Sequence, residues 1–261
     1  MGVVYLPKLR LNADISGPSG APAVVLLHAL GTHSGLWAGL LPHLAHLRCL
    51  CVDLRGHGQS DVPPPPYKMG AMVHDVEAVM DHFALKDAVV IGVSLGGLIA
   101  QGLAIKRLDL VRGMVLSNTA AKIGGPALWQ ARIEAVAQGG LAGYADGAMQ
   151  RMLGPQWQTA PQMPALRDML LATPAAGWIG AAHAIAGADF YTPLSTLRLP
   201  TLVIAGARDG TTPPDLVRET ADIIPSAQFH LMQGVGHLPM YEQPAAFADV
   251  LAPFLARIGH C

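Results

Sequence analysis

Charge is scarce in this chain. Asp, Glu, Lys and Arg together make up 13% of its 261 residues, 17 basic against 18 acidic side chains, and like charges form no run anywhere. Phosphate recognition needs clustered Lys and Arg, so the composition argues against a nucleic-acid partner. Cysteine is equally sparse. Cys49, Cys51 and Cys261 are an odd set with no CxxC or Cys/His spacing, which argues against a disulfide framework or a zinc site. The N-terminal MGVVYLPKLRLNADISG lacks a basic start followed by a long apolar stretch, so no secretory signal is read and a cytoplasmic location is expected. Residues 88–105 carry no charge, but they include Ser94, Gln101 and four glycines; a strand, a turn and a helix fit them better than a membrane span.

What the chain has is apolar mass. Hydrophobic side chains reach 51%, which excludes disorder and supplies one large core. Short β-branched runs recur: VVLL at 24–27, CLCVDL at 49–54, AVVIGV at 88–93, GMVLSN at 113–118 and TLVIAG at 201–206. Such runs are the pattern of parallel strands buried on both faces. Helical spacing lies between them, over Gly70–Phe83 and Leu95–Ala104, so the fold class is α/β with a mostly parallel sheet. VVYLP and LRLNADI near the N-terminus read as an antiparallel edge closed by the turn cluster GPSGAP at 17–22. Residues 119–200 hold no convincing strand, and the rhythm resumes at Thr201 with a helix near 214–223, a strand AQFHLM at 227–232 and a helix over 244–258. The expected organisation is a core of residues 1–118 and 196–261 with a helical lid inserted over 119–195.

Gly92-Val93-Ser94-Leu95-Gly96 is a G-x-S-x-G string between an apolar strand and a helix, the context that a nucleophile elbow requires. A serine hydroxyl needs a histidine base held by a carboxylate, here expected in the chain order Ser, Asp, His. Asp209 follows the strand TLVIAGA, and His237 follows the strand ending near Met232; carboxyl ends of strands are where sites assemble. Asp215 and Asp222 are rivals that fall in the next helix, and His230 is a rival that lies inside its strand. The two donors of an oxyanion hole are expected from Leu95 N–H and Leu30 N–H, the latter in His28-Ala29-Leu30-Gly31. His28 reads as a brace for that loop, and Asp53–Ser60, with its two glycines, reads as scaffold. His33, His43, His46, His74, His82 and His183 show no ligand spacing, so neither a metal nor a cofactor is expected.

With these residues in hand, the chain resembles the α/β-hydrolase family over its whole length. Within that family, Leu116–Gly124, Trp129 with Arg132-Ile133, Met169–Pro174, Ala188-Asp189-Phe190, Arg55-Gly56-His57-Gly58 and Glu242-Gln243-Pro244 are similar to the 3-oxoadipate enol-lactonases. Those enzymes commonly carry Asn-Ser where this chain has His28-Ala29, and Leu-Ser-Asn where it has Leu238-Pro239-Met240. The resemblance implies hydrolysis of a small lactone bearing a carboxylate, without a cofactor. A buried carboxylate needs a cation or several N–H donors, and Lys122, Arg132 and Arg151 are the candidate cations. Arg132 lies three residues after Trp129, so the pair could line the pocket together; the alternative is that Trp129 is lid core and Arg132 lid surface. Competing readings are another ester or lactone hydrolase acting on aryl esters or acyl-homoserine lactones, a carbon–carbon bond hydrolase with the same triad, and a ligand sensor of the same fold. The sequence assigns no oligomeric state.

Overall fold

The structure, a computed structural model, describes residues 2–261. Eight strands form one sheet in the order β1-β2-β4-β3-β5-β6-β7-β8: β1 Gly2–Leu6, β2 Leu9–Ser16, β3 Ala23–Leu27, β4 Arg48–Val52, β5 Ala88–Val93, β6 Val111–Ser117, β7 Thr201–Gly206 and β8 Ala227–Met232. β1 and β2 pair antiparallel and β2 joins β4 antiparallel, while every other pairing is parallel. The α/β architecture read from the sequence is thus the one found. In β3, β5 and β7 every residue is buried, because helices cover both faces of a parallel sheet and leave no side for polar alternation. β8 closes the edge, and there Gln228, His230 and Leu231 are exposed.

The helices are α1 Met69–His82, α2 Leu95–Lys106, α3 Pro126–Met152, α4 Met163–Ala172, α5 Ala175–Ala186, α6 Tyr191–Thr196, α7 Pro214–Ile223, α8 Pro239–Glu242 and α9 Pro244–Arg257. No single helix among the described residues is long and apolar enough to cross a membrane. The short α8 and the 3-10 turns at Ser34–Trp37, Leu41–Leu44 and Pro155–Trp157 escape a periodicity reading because each is about one turn long. α3 bends where Gly140 takes φ 64 and ψ −176, a conformation that costs a residue with a side chain more than it costs glycine.

Helices α3 to α6 lie in sequence between β6 and β7, and packing ties them to the strand ends. Trp178 of α5 is 1% exposed, meets the Tyr144 ring of α3 at 4.9 Å between centroids and borders Gly31 in the loop after β3. Gly177 and Gly180 bring α5 against Gly56 and the Tyr67 ring, where a Cβ would collide. The helical layer and the sheet therefore share one packed core. Trp178→Ala should destabilise the fold by about 3–5 kcal/mol, the usual cost of emptying such a site, and urea unfolding should remain a single transition; two separate transitions would show that the helical layer folds independently of the sheet.

Candidate active site

Four loops at the carboxyl ends of the parallel strands converge on the sequence-predicted residues. After β5, Ser94 takes φ 55 and ψ −114, a strained pair for a residue with a side chain. Its N–H donates to Ser117 O at 3.1 Å and its carbonyl accepts Thr119 Oγ1 at 2.8 Å, so the end of β6 and the loop after it hold the turn on both sides. The strain is compatible only with glycines around it. A Cβ on Gly92 would stand 2.2 Å from Gly96 O, and one on Gly96 would stand 2.1 Å from Leu27 O.

After β7, Asp209 is surrounded by donors. Thr211 N and Thr212 N reach Oδ1 at 2.7 and 3.1 Å; Thr212 Oγ1, Asn118 Nδ2 and His237 Nδ1 reach Oδ2 at 2.7, 2.9 and 2.7 Å. Burial alone would raise this carboxyl, but the His237 charge and the hydrogen bonds from His237, Asn118 and Thr212 hold it below the usual carboxylate range. Nδ1 is bound to the carboxylate, and Nε2 of His237 has no hydrogen-bond partner among the described residues. His237 N–H donates to Met152 O at 2.5 Å and Gly210 N–H to Arg151 O at 2.9 Å, so the last turn of α3 is stitched to both the acid and the histidine loops. The rivals sit elsewhere: Asp215 and Asp222 are on α7, and His230 is exposed on β8.

After β3, the loop His28–Gly31 is braced by two buried imidazoles. His28 accepts Leu54 N–H on Nε2 at 2.9 Å and donates from Nδ1 to Ala29 O at 2.8 Å. His57 accepts Gly31 N–H on Nε2 at 3.1 Å and donates from Nδ1 to Arg55 O at 3.1 Å. An imidazolium has no acceptor nitrogen, so both rings must be neutral. Burial pushes His28 down to about 4 and His57 to about 3, the His28 charge adding to the effect at His57. Leu30 N–H and Leu95 N–H, the latter in the first turn of α2 where no intrahelical acceptor exists, are donated to no group among the described residues.

Of the expected substrate contacts, Trp129 is buried with its Nε1–H on Ile123 O at 2.5 Å. Arg132 lies over its ring at 4.9 Å and, with Leu128, Ala131, Ala135, Tyr144 and Arg151, lines a cavity of about 320 Å³. None of Ser94, Asp209 and His237 borders that cavity. Lys122 is paired with Asp189 at 3.1 Å, whereas Arg132 and Arg151 have no carboxylate partner among the described residues. Sequence reasoning passes over Asn118, which bonds Asp209 and also donates to Gly236 O at 3.0 Å. It reads the turn at His57 as scaffold, whereas that ring grips the Leu30–Gly31 loop. Their signal was position: each sits just beyond the carboxyl end of a strand.

Because His28 and His57 lie below the 6.5 of a free imidazole, the unfolded chain binds more protons than the folded one. Their contribution to stability is complete above about pH 6.5 and is lost as pH falls toward 4 and 3, at up to about 1.4 kcal/mol per pH unit for each ring. His57→Gln keeps an acceptor for Gly31 N–H but cannot titrate. In urea unfolding at pH 7 and pH 5, the variant should lose less stability on acidification than the wild type; an equal loss would show that His57 is not buried neutral.

Comparison with known proteins agrees with this geometry. The family model for the α/β hydrolase fold matches residues 22–244. The chain is 32% identical over 254 residues to 3-oxoadipate enol-lactonase 2 of Acinetobacter baylyi, covering 96% of this chain and 95% of the relative. It is 33% identical over 260 residues to the pimeloyl-[acyl-carrier protein] methyl ester esterase of Chromobacterium violaceum, covering 94% and 98%. The crystal structure of the enol-lactonase from Burkholderia xenovorans superposes with a TM-score of 0.94 at 30% identity, covering 98% of this chain and all of the other. A fold, an elbow sequence and a full-length kinship all coincide, and the chain belongs to the α/β-hydrolase family.

Proposed function

We propose that this hydrolase opens the ring of 3-oxoadipate enol-lactone to 3-oxoadipate, through an acyl-enzyme on Ser94. The observation that carries the reading is the His237 imidazole held on Asp209 at 2.7 Å, at the strand ends where Ser94 occupies its strained turn. In this reading Asp209 orients His237 and stabilises its cationic form, and His237 Nε2 takes the Ser94 Oγ proton as Oγ attacks the ring carbonyl. The tetrahedral oxyanion is received by Leu30 and Leu95 N–H, two backbone donors without other partners among the described residues. Collapse breaks the bond from the acyl carbon to the ring oxygen. That oxygen leaves as an enolate, takes the proton from His237 and tautomerises to the ketone, which makes ring opening effectively irreversible. His237 then deprotonates a water that attacks the ester, releasing the second carboxylate and restoring Ser94.

The kinship to enol-lactonases supports the choice of lactone, and Arg132, which has no carboxylate partner among the described residues, supports a carboxylate on it. Arg132 stacked on Trp129 is assigned to that carboxylate, with residues 119–195 acting as a lid over a core of residues 1–118 and 196–261. A catabolic role of this kind belongs in the cytoplasm, where the free Cys49, Cys51 and Cys261 stay reduced. The esterase relative favours one second reading, hydrolysis of a carboxylate-bearing methyl ester by the same residues.

Steady-state hydrolysis of the enol-lactone, followed by its ultraviolet absorbance, separates these readings when set against a dicarboxylic acid monomethyl ester and simple aryl esters. The lactone should have the highest kcat/KM, Ser94→Ala should lose at least about 10³-fold, and Arg132→Ala should raise KM about tenfold with kcat within threefold. Preference for the methyl ester would replace the lactone by the second reading, and turnover that survives Ser94→Ala would overturn both.

A further inference from the structure

Next to the triad lies a buried carboxyl that the mechanism above does not use. Glu242 ends α8, directly after His237, and is 3% exposed. Its Oε1 and Oε2 accept Gly236 N–H at 3.0 and 2.9 Å, Oε1 accepts Leu238 N–H at 3.2 Å, and Oε2 accepts Gly154 N–H at 3.4 Å. The amides on both flanks of His237 therefore end on one carboxylate, and the third donor comes from the connection that leaves α3. The intervening amide, that of His237 itself, goes to Met152 O at the end of α3, and Gly236 O is taken by Asn118. All three amides of the loop from 236 to 238 are thus held by groups outside it.

We infer that Glu242 is a positioning residue for His237, fixing the loop that carries the imidazole and tying it to the end of α3. The inference rests on the reading of His237 as the base. Its role depends on an acceptor at both oxygens, because a protonated carboxyl offers an O–H where an amide N–H needs a lone pair. Burial pushes Glu242 up to about 7, against the three backbone amides and the charge of His237, which pull it down. His237 is the titratable side chain whose charge reaches it; from the α3 side it meets the backbone of Gly154. Protonation of Glu242 would thus take the anchor from the base loop.

Two measurements test this. Glu242→Gln keeps the volume but turns an NH₂ group toward the amides. Its kcat should fall ten- to a hundredfold with KM within threefold, and the rate at which a fluorophosphonate labels Ser94 should fall by the same factor. If that variant does not fold, the wild type and His237→Gln decide by nuclear magnetic resonance: the Glu242 side-chain carboxyl carbon and the Gly236 and Leu238 amide protons should titrate together in both, with a midpoint well above 4.5. Labelling and kcat within twofold of wild type in Glu242→Gln, or amides that ignore the Glu242 titration, overturn the inference. Failure of the underlying reading is recognised separately, as turnover that survives His237→Ala.

Discussion

A carboxylate taken out of water must be surrounded by donors, and Asp209 meets that demand with five of them drawn from three loops. The requirement organises the whole end of the sheet. It fixes Asn118 beyond β6 in a left-handed conformation, φ 48, shapes the Thr211-Thr212 turn before α7, and orients the imidazole of His237. Because Asn118 also holds Gly236 O, the same side chain that satisfies the acid steadies the loop of the proposed base. Removing any one of these donors leaves a buried charge short of a partner, so the arrangement is cooperative.

A second device serves the opposite electrostatic purpose. The loop after β3 is held by two imidazoles that have to stay neutral in order to accept Leu54 and Gly31 N–H. Burial keeps them so. The two rings thereby add no positive charge beside the proposed oxyanion donors, although the buried Asp53 carboxylate lies close to both of them. The helical layer enters through Trp178 against Gly31 and through the last turn of α3 against Asp209 and His237. A shift of that layer would reach both the donors and the base, which is what the proposed lid role requires of it.

The sheet was legible in the sequence because strands buried on both faces read as unbroken apolar runs, and β3, β5 and β7 carry five or six such residues each. Ser94 was legible because its turn admits only glycine two residues either side. Asp209 and His237 could be nominated from chain order and strand ends, and they stand in contact. What stayed hidden depends on contacts between distant segments. Asn118 reaches Asp209 across 91 residues and Glu242 reaches Gly154 across 88, and no local spacing announces such pairs. The same holds for Arg132: helical spacing puts it beside Trp129, as found, but the cavity it lines also takes Tyr144 and Arg151 from beyond the bend of α3 at Gly140.

The central claim is covalent chemistry at Ser94, and rapid-quench peptide mass mapping tests it most directly. With 4-nitrophenyl acetate mixed against stoichiometric enzyme and quenched in acid within the first turnover, the account predicts an acetyl group on the peptide containing Ser94, formed with the release of nitrophenolate and lost as acetate appears. Nitrophenolate released with acetate and no label on that peptide, or a label on another residue that decays at the turnover rate, would contradict it.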